Sequence, residues 1–385
     1  LKPDLVQAPT EFVYCSSRLV FVRATSMANW RIGNVMLQQP LGIGTLQWGT
    51  TWVDEKMVSG GRIADAAVDV IVQECLAAGV TLFDSAEGYG GGTSEERLGH
   101  AIRQHAGAAA DSSHAEPCRA EAALATKFLP TWWRCSHGAV LRAAARSSRN
   151  LGVTRIGIYF IHTPVHWLPV EFWVGAACDA KAAGLIENIG VSNFNADQVL
   201  RAHAVAISRG YSIVANQVMF GLLNYKNVTL QETIGVCHRL GIAVVAFSPI
   251  GQGLLTNKFS DQMIQHNRVA KISRVQHNEL SKLRGELAVV SQETGKTMAQ
   301  VALNWVICHN CIPLIGCRSV EQAKDTLGCL DWRLEEQQVR RLDAVSLAYS
   351  TLDGKRWKRV FFANLFGLVM VCCRLLRWCG GSGFP

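Results

Sequence analysis

TLFDSAEGYGGGTSEERLG, residues 81–99, decides how the chain is to be read. An apolar run, Thr81 to Asp84, ends in a carboxylate. A glycine-rich turn carrying Tyr89 follows, and a candidate helix comes after it. Working outward, the same alternation of short apolar runs and longer amphipathic stretches recurs from about residue 41: Leu41–Leu46, Ala123–Phe128, Ile156–His162, Asn188–Ser192, Val214–Val218, Ala243–Ser248 and Ile312–Gly316. Alternating strand and helix signals predict a parallel sheet with crossover helices. Eight such runs favour a closed (β/α)8 TIM barrel over an open sheet.

Helix signals support the pattern. Ala64, Ala67, Val68, Ile71, Cys75 and Leu76 recur at helical spacing, with Gly79 as the stop. Ala299, Val301, Ala302, Trp305 and Val306 form a second apolar stripe, ending near Asn310. Two stretches break the alternation. The Ala/Ser-rich segment between Ala106 and Glu121 reads as a surface loop. The polar segment between Gly251 and Gln276 follows the seventh run on the side where barrels bind ligands, which makes it a candidate lid.

Composition sets the limits. At 385 residues and 49% hydrophobic, the chain can bury one large core. The net charge of +8 would suit nucleic acid if it formed a basic stripe among aromatics. Instead Lys355, Arg356, Lys358, Arg359, Arg374 and Arg377 gather near the C-terminus, so no nucleic-acid partner is expected. The thirteen cysteines lack regular spacing, which predicts reduced, buried thiols, no metal site and a reducing compartment, cytoplasm or chloroplast. Cys308 and Cys311 form the single C-x-x-C and read as an ordinary helix-end pair. Residues 1–40 show no period, and Arg18, Arg23 and Arg31 among Ser and Thr weakly resemble an organelle transit peptide, against which Asp4 and Glu11 count. The expected organisation is therefore an N-terminal extension over 1–40, a barrel over 41–350 and a basic, apolar tail over 351–385.

Chemistry is sought where barrel strands end. Asp84, Lys127 and His162 each place a titratable side chain at an otherwise apolar strand terminus, where a buried charge is costly unless paired. Singly, each has an ordinary explanation: a helix cap, a solvated lysine, a histidine serving a backbone group, or for Tyr89 a packing tyrosine. On successive strands they suggest one site.

In this order the residues resemble the aldo-keto reductase superfamily, closest in texture to its plant and bacterial NADP-dependent members. FDSAEGYGGGTSEERLG at 83–99 matches its signature, followed by ATKF at 125–128, IHTP at 161–164, IGVSNF at 189–194, NQV at 216–218, AFSPIGQGLL at 246–255 and IPLIGCRSVEQAKDTLG at 312–328. The resemblance covers about residues 41–347. It implies NADPH-dependent reduction of a small carbonyl substrate, with pyridoxal and reactive aldehydes among the candidates. Tyr89 is then the general acid, Lys127 the ammonium favouring phenolate, Asp84 the partner of Lys127, and His162 the neutral donor that orients the carbonyl. No G-x-G-x-x-G opens a helix after the first strand, so the cofactor is not held in Rossmann fashion. The resemblance instead assigns Thr45, Ser192, Asn193 and Gln217 to the nicotinamide end. Phe247 would stack on the ring, and Ser248, Ile250, Gly251, Gly253 and Leu254 would line the pyrophosphate. Arg318, Ser319 and Gln322 would take the 2′-phosphate, and Asp325, where the family has Glu beside Asn, would lie near the adenine. A cofactor-binding regulatory subunit with little turnover is the alternative. The run Val360 to Cys373 is too short to span a ~30 Å hydrocarbon core at about 1.5 Å per residue. It reads as a packed or atypical end or, alternatively, as a membrane-surface helix with Cys372 and Cys373 as acylation sites.

Overall fold

The computed structural model describes residues 30–49, 63–110, 122–164, 167–258 and 277–348. A small antiparallel hairpin, β1 (Arg31–Ile32) and β2 (Val35–Met36), precedes the barrel. Eight parallel strands then close on themselves: β3 (Gly42–Gly44), β4 (Leu82–Asp84), β5 (Ala123–Phe128), β6 (Ile156–Ile161), β7 (Ile186–Ser192), β8 (Ile213–Met219), β9 (Ala243–Phe247) and β10 (Ile312–Gly316). Each pairs with its sequence neighbours, and β10 returns to β3. The expected (β/α)8 barrel is thus the observed fold.

Strands covered on both faces must be apolar on both. The six residues of β5 are all buried, and so are five of the six in β6. Side chains of opposite pleat separate into two cores. Leu82, Ala125, Ile158, Phe160, Ala215, Val245, Ile312 and Leu314 fill the barrel interior, whereas Phe83, Leu124, Tyr159, Ile189 and Val244 meet the surrounding helices. Those helices are α1 (Asp65–Ala77), α2 (Thr93–Ala110), α3 (His137–Leu151), α4 (Val170–Ala182), α5 (Ala196–Ser208), α6 (Val228–Arg239), α7 (His277–Thr294), α8 (Met298–Cys308), α9 (Val320–Leu327) and α10 (Glu336–Val345). Local chemistry sets their ends. Ser136 caps α3, accepting from the Ala139 N–H, and Gly152 closes it at φ +70°. Gly79, the expected stop after α1, has φ +77°, and Asn310 after α8 has φ +54°.

Three departures from the sequence reading stand out. The hairpin falls inside residues that showed no period. Two-residue strands leave nothing for a period to register, but Ile32 and Leu37 are buried in the barrel-interior core, so the hairpin closes the floor of the barrel. Its Gly33, at φ +62°, has no room for a side chain, because a Cβ there would lie 2.4 Å from Asn188 Oδ1. Helix α2 continues through Ala110, into the stretch expected to be a loop, since alanine sustains a helix without an apolar stripe. After β9, residues 251–253 form a tight 3-10 turn, while the remainder of the expected lid, 259–276, lies outside the described residues, as do residues 1–29 and the tail from 349. Cys308 ends α8, Cys311 is buried before β10, and both are free thiols. Among the described residues no helix is long and apolar enough to cross a membrane.

If the hairpin is a structural floor, Ile32→Ala lowers unfolding free energy by about 2–5 kcal/mol, the range for deleting a buried aliphatic side chain. Denaturant unfolding measures it.

Candidate active site

Parallel strands in a closed barrel deliver their C-terminal ends to one rim. Asp84 closes β4, Lys127 is the penultimate residue of β5, and His162 follows the last residue of β6. The His162 N–H donates to Phe128 O (2.9 Å), which fixes it beside the end of β5. Tyr89 sits in the turn after β4, where its own N–H donates to Ala86 O (2.9 Å).

The structure brings all four together. Lys127 is fully buried, and its ammonium donates to Asp84 Oδ2, to the Ser85 carbonyl at 2.5 Å and to Tyr89 Oη at 3.4 Å. Three donors meet three acceptors, as an enclosed ammonium requires. Asp84 Oδ1 accepts from Gln217 Nε2 (3.0 Å), which reaches across the mouth from β8. The Tyr89 and His162 rings lie edge to face, 6.0 Å between centroids.

These neighbours set the protonation states. Burial works against the charge of Lys127, but the Asp84 carboxylate and then Tyr89 outweigh it, and the ammonium is held above its ordinary value. Burial pushes the Tyr89 phenol up, with Lys127 pulling the other way. Burial, reinforced by Lys127, drives His162 down to about 3, so its imidazole is neutral at pH 7. The group therefore combines a protonated phenol, a fixed cation beside its oxygen, and a neutral imidazole.

The residues expected to hold a cofactor divide by what the structure does with them. Ser192 donates to Gln217 O (3.0 Å), and Asn193, at φ +61°, turns its amide to Ser192 Oγ (3.1 Å) and His162 O (3.3 Å). With Gln217 they form a neutral amide and hydroxyl set beside the four, suited to a carboxamide. Phe247 and Ser248 are half-buried at the end of β9. Ser248, Gly251, Gln252 and Gly253 all take positive φ, at 53°, 58°, 55° and 95°, and Gly251 is buried where a Cβ would lie 2.3 Å from Leu223 Cδ1. The N–H groups of Gly251, Gly253 and Leu254 already bond to the carbonyls of Ser248, Ile250 and Gly251, so a pyrophosphate would meet this turn through its shape more than through those donors. Ser319 caps α9 by accepting from the Gln322 N–H (3.3 Å), and Gln322 Oε1 accepts from the Arg318 N–H (2.9 Å). A half-buried guanidinium at a helix N-terminus suits a phosphate.

Two expected residues are differently engaged. Thr45 is fully enclosed, its hydroxyl paired with Ser94 Oγ at 2.7 Å. Asp325 is exposed and accepts from Thr297 Oγ1 (3.2 Å) and Gln300 Nε2 (3.1 Å), tying α9 to the start of α8. Sequence reasoning also passed over two buried carboxylates. Glu87 pairs with Arg134 and Arg146, and Glu95 accepts from Thr126 Oγ1 (2.6 Å) and Asn150 Nδ2 (2.9 Å). A buried carboxylate needs a partner wherever it lies, and these two lie away from the strand ends.

Comparison with known proteins gives these residues a context. A family model described as Aldo/keto reductase family matches residues 40–347. A pyridoxal reductase of the Arabidopsis thaliana chloroplast is 30% identical over 312 residues, 79% of this chain and 82% of that protein. An uncharacterized oxidoreductase of Mycobacterium tuberculosis is 29% identical, covering 82% of this chain and 92% of the relative. Among solved structures, a glycerol dehydrogenase from Gluconobacter oxydans superposes with a TM-score of 0.65 at 21% identity, over 81% of this chain and 92% of that one. A thermostable aldo-keto reductase superposes with a TM-score of 0.59 at 23% identity, over 80% and 95%.

The low value of His162 has a sign that can be tested. Between about pH 3 and 6.5 the unfolded chain binds a proton at this residue that the folded chain does not. Its contribution to stability is complete above pH 6.5 and is lost as acid is added toward pH 3. His162→Asn should flatten the fall of the denaturation midpoint across that window.

Proposed function

Because the chain belongs to the aldo/keto reductase family, whose members are oxidoreductases acting on carbonyl groups, we propose that it reduces an aldehyde or ketone to the alcohol with NADPH, and that Tyr89 is the proton donor. The observation carrying this reading is the contact of 3.4 Å between Tyr89 Oη and Lys127 Nζ, with Lys127 in turn held by Asp84. NADPH, when bound, supplies the hydride.

The chain's own residues supply the rest. As negative charge develops on the carbonyl oxygen, a proton must arrive there, and a phenol is a poor donor at neutral pH unless its conjugate base is stabilised. Lys127 provides that stabilisation at fixed distance. Asp84 offsets the cost of burying the ammonium and aims it. His162, kept neutral, retains an N–H for hydrogen bonding to the substrate oxygen and sets the approach of the carbonyl. Ser192, Asn193 and Gln217 would hold the carboxamide, Phe247 would cover the ring, and Arg318 with Ser319 would receive the 2′-phosphate that distinguishes NADPH from NADH. The relative named a pyridoxal reductase makes pyridoxal a natural member of a substrate panel.

Purified protein should oxidise NADPH in the presence of at least one aldehyde in such a panel. Tyr89→Phe should lower kcat by about 10²–10⁴-fold, the range for a lost general acid, with NADPH binding retained. Tight NADPH binding without turnover of any carbonyl would instead support a regulatory subunit. Arg318→Met should weaken NADPH about 10–100-fold, equivalent to one charge-assisted hydrogen bond, and leave NADH affinity nearly unchanged. Fluorescence titration with both nucleotides measures the difference.

A further inference from the structure

Two residues ahead of Tyr89 stands a buried carboxylate that proton transfer does not use. Glu87 is 7% exposed and its two oxygens are fully engaged. Oε1 accepts from the Leu129 N–H (2.8 Å) and Arg134 Nη1 (2.6 Å), and Oε2 accepts from Arg134 Nη2 (3.0 Å) and Arg146 Nη2 (2.7 Å). The two bonds from Arg134 form a fork-to-fork pair, the geometry that fixes direction as well as distance. Arg134 is itself immobilised. It donates to Leu129 O (3.2 Å), and its guanidinium carbon lies 4.3 Å from the centroid of the Phe128 ring. Phe128 and Leu129 directly follow Lys127 in the chain, and the Glu87 N–H donates to the carbonyl of Lys127 (3.4 Å).

The turn that follows, Tyr89–Gly92, is held locally by the Gly91 N–H on Gly88 O (3.5 Å) and Thr93 Oγ1 on Gly90 O (3.0 Å), and three of its four residues are glycine. Gly90, Gly91 and Gly92 take φ of 61°, 65° and 107°. Glycine reaches these values freely, and for the same reason holds no single conformation unaided. Tyr89 therefore lies between a glycine run and Glu87. We propose that Glu87, clamped by Arg134 and Arg146, is a positioning residue that sets the distance between Tyr89 and Lys127. Its catalytic consequence rests on the function proposed above, but its geometric consequence does not. The clamp joins the turn bearing the phenol to the strand bearing the ammonium. It also fixes the loop that presents Trp132 and Trp133 to solvent.

Two measurements decide the matter. In Glu87→Gln the amide keeps the shape but turns N–H donors toward a guanidinium. A displacement of the acid by ~1 Å is enough to lower kcat for aldehyde reduction about 10–100-fold. NADPH affinity should stay within about twofold, since the candidate cofactor residues lie on other strands. Arg134→Lys, which keeps the charge and loses the fork, should fall between wild type and Arg134→Gln. Unchanged kcat in Glu87→Gln, or a loss confined to NADPH affinity, overturns the proposal. The second measurement needs no turnover. In protein labelled with 3-fluorotyrosine, the ¹⁹F resonance of Tyr89, identified by its absence in Tyr89→Phe, is titrated with and without Lys127→Met. Removing the ammonium shifts the ionisation of Tyr89 to higher pH in the wild-type background, and in the Glu87→Gln background the shift should be about half as large or less. Equal shifts in both backgrounds overturn the clamp even in a protein without carbonyl turnover, whereas an inert wild type with unequal shifts overturns only the reductase reading. If Glu87→Gln fails to fold, Arg134→Gln carries both measurements, because that side chain is partly exposed.

Discussion

A lysine ammonium enclosed in a barrel is the constraint on which the rest depends. Removing such a charge from water costs several kcal/mol, and an interior attraction offsets this only if every donor finds an acceptor in good geometry. Lys127 meets that demand with a carboxylate from β4, a backbone carbonyl from the turn after it and a phenol further along the same turn. The carboxylate needs satisfying in turn, and the group that does so, Gln217, comes from β8, a strand that pairs with neither β4 nor β5. The Asp84–Gln217 hydrogen bond therefore exists only when the sheet has closed. Barrel closure and burial of the ammonium are two aspects of one event.

The opposite end of the barrel makes that closure possible. Ile32 and Leu37 complete the interior core, and Asn188 joins the hairpin to the barrel by donating to Asn34 Oδ1 (2.5 Å) and Gly157 O (2.9 Å). Higher up, the interior interlocks by size. A Cβ on Gly190 would lie 2.5 Å from the Phe160 ring, so the small residue on β7 makes room for the large one on β6. Such a floor tolerates little change and leaves the other rim to carry chemistry.

What could be read from the sequence follows from the range of each interaction. The eight strands were legible because strands covered on both faces are nearly uninterrupted apolar runs, and each run fell within a few residues of its observed strand. Asp84, Lys127 and His162 were legible because a polar side chain at an apolar strand terminus is anomalous without any knowledge of the fold, and the structure brings them together. Glu87 was not, since it sits in a polar glycine-rich turn where a carboxylate excites no notice. Its two guanidinium partners lie 47 and 59 residues away, and nothing local marks them. The hairpin was invisible for a different reason, being too short to show alternation. The family pattern alone implies a ligand role for Asp325, and only the fold shows that its carboxylate also ties α9 to the start of α8.

Backbone strain follows the same division between floor and rim. Among the described residues the non-glycine positions with positive φ are Asn193, Ser248, Gln252, Asn310 and Asp331. Asn and Asp adopt this region at modest cost because their short side chains bond locally. Ser and Gln have less to offset it, and a residue held in a sparsely populated region costs about 1–3 kcal/mol. Both of these costlier positions, Ser248 and Gln252, fall in the single turn after β9, on the rim that carries Lys127 and Tyr89. The turn is held in that conformation by its own hydrogen bonds, from the Gly251 N–H to Ser248 O and from the Gly253 N–H to Ile250 O, and by the packing of Gly251 on Leu223, and the proposed cofactor role of Ser248, Gly251 and Gly253 would give the strain a use.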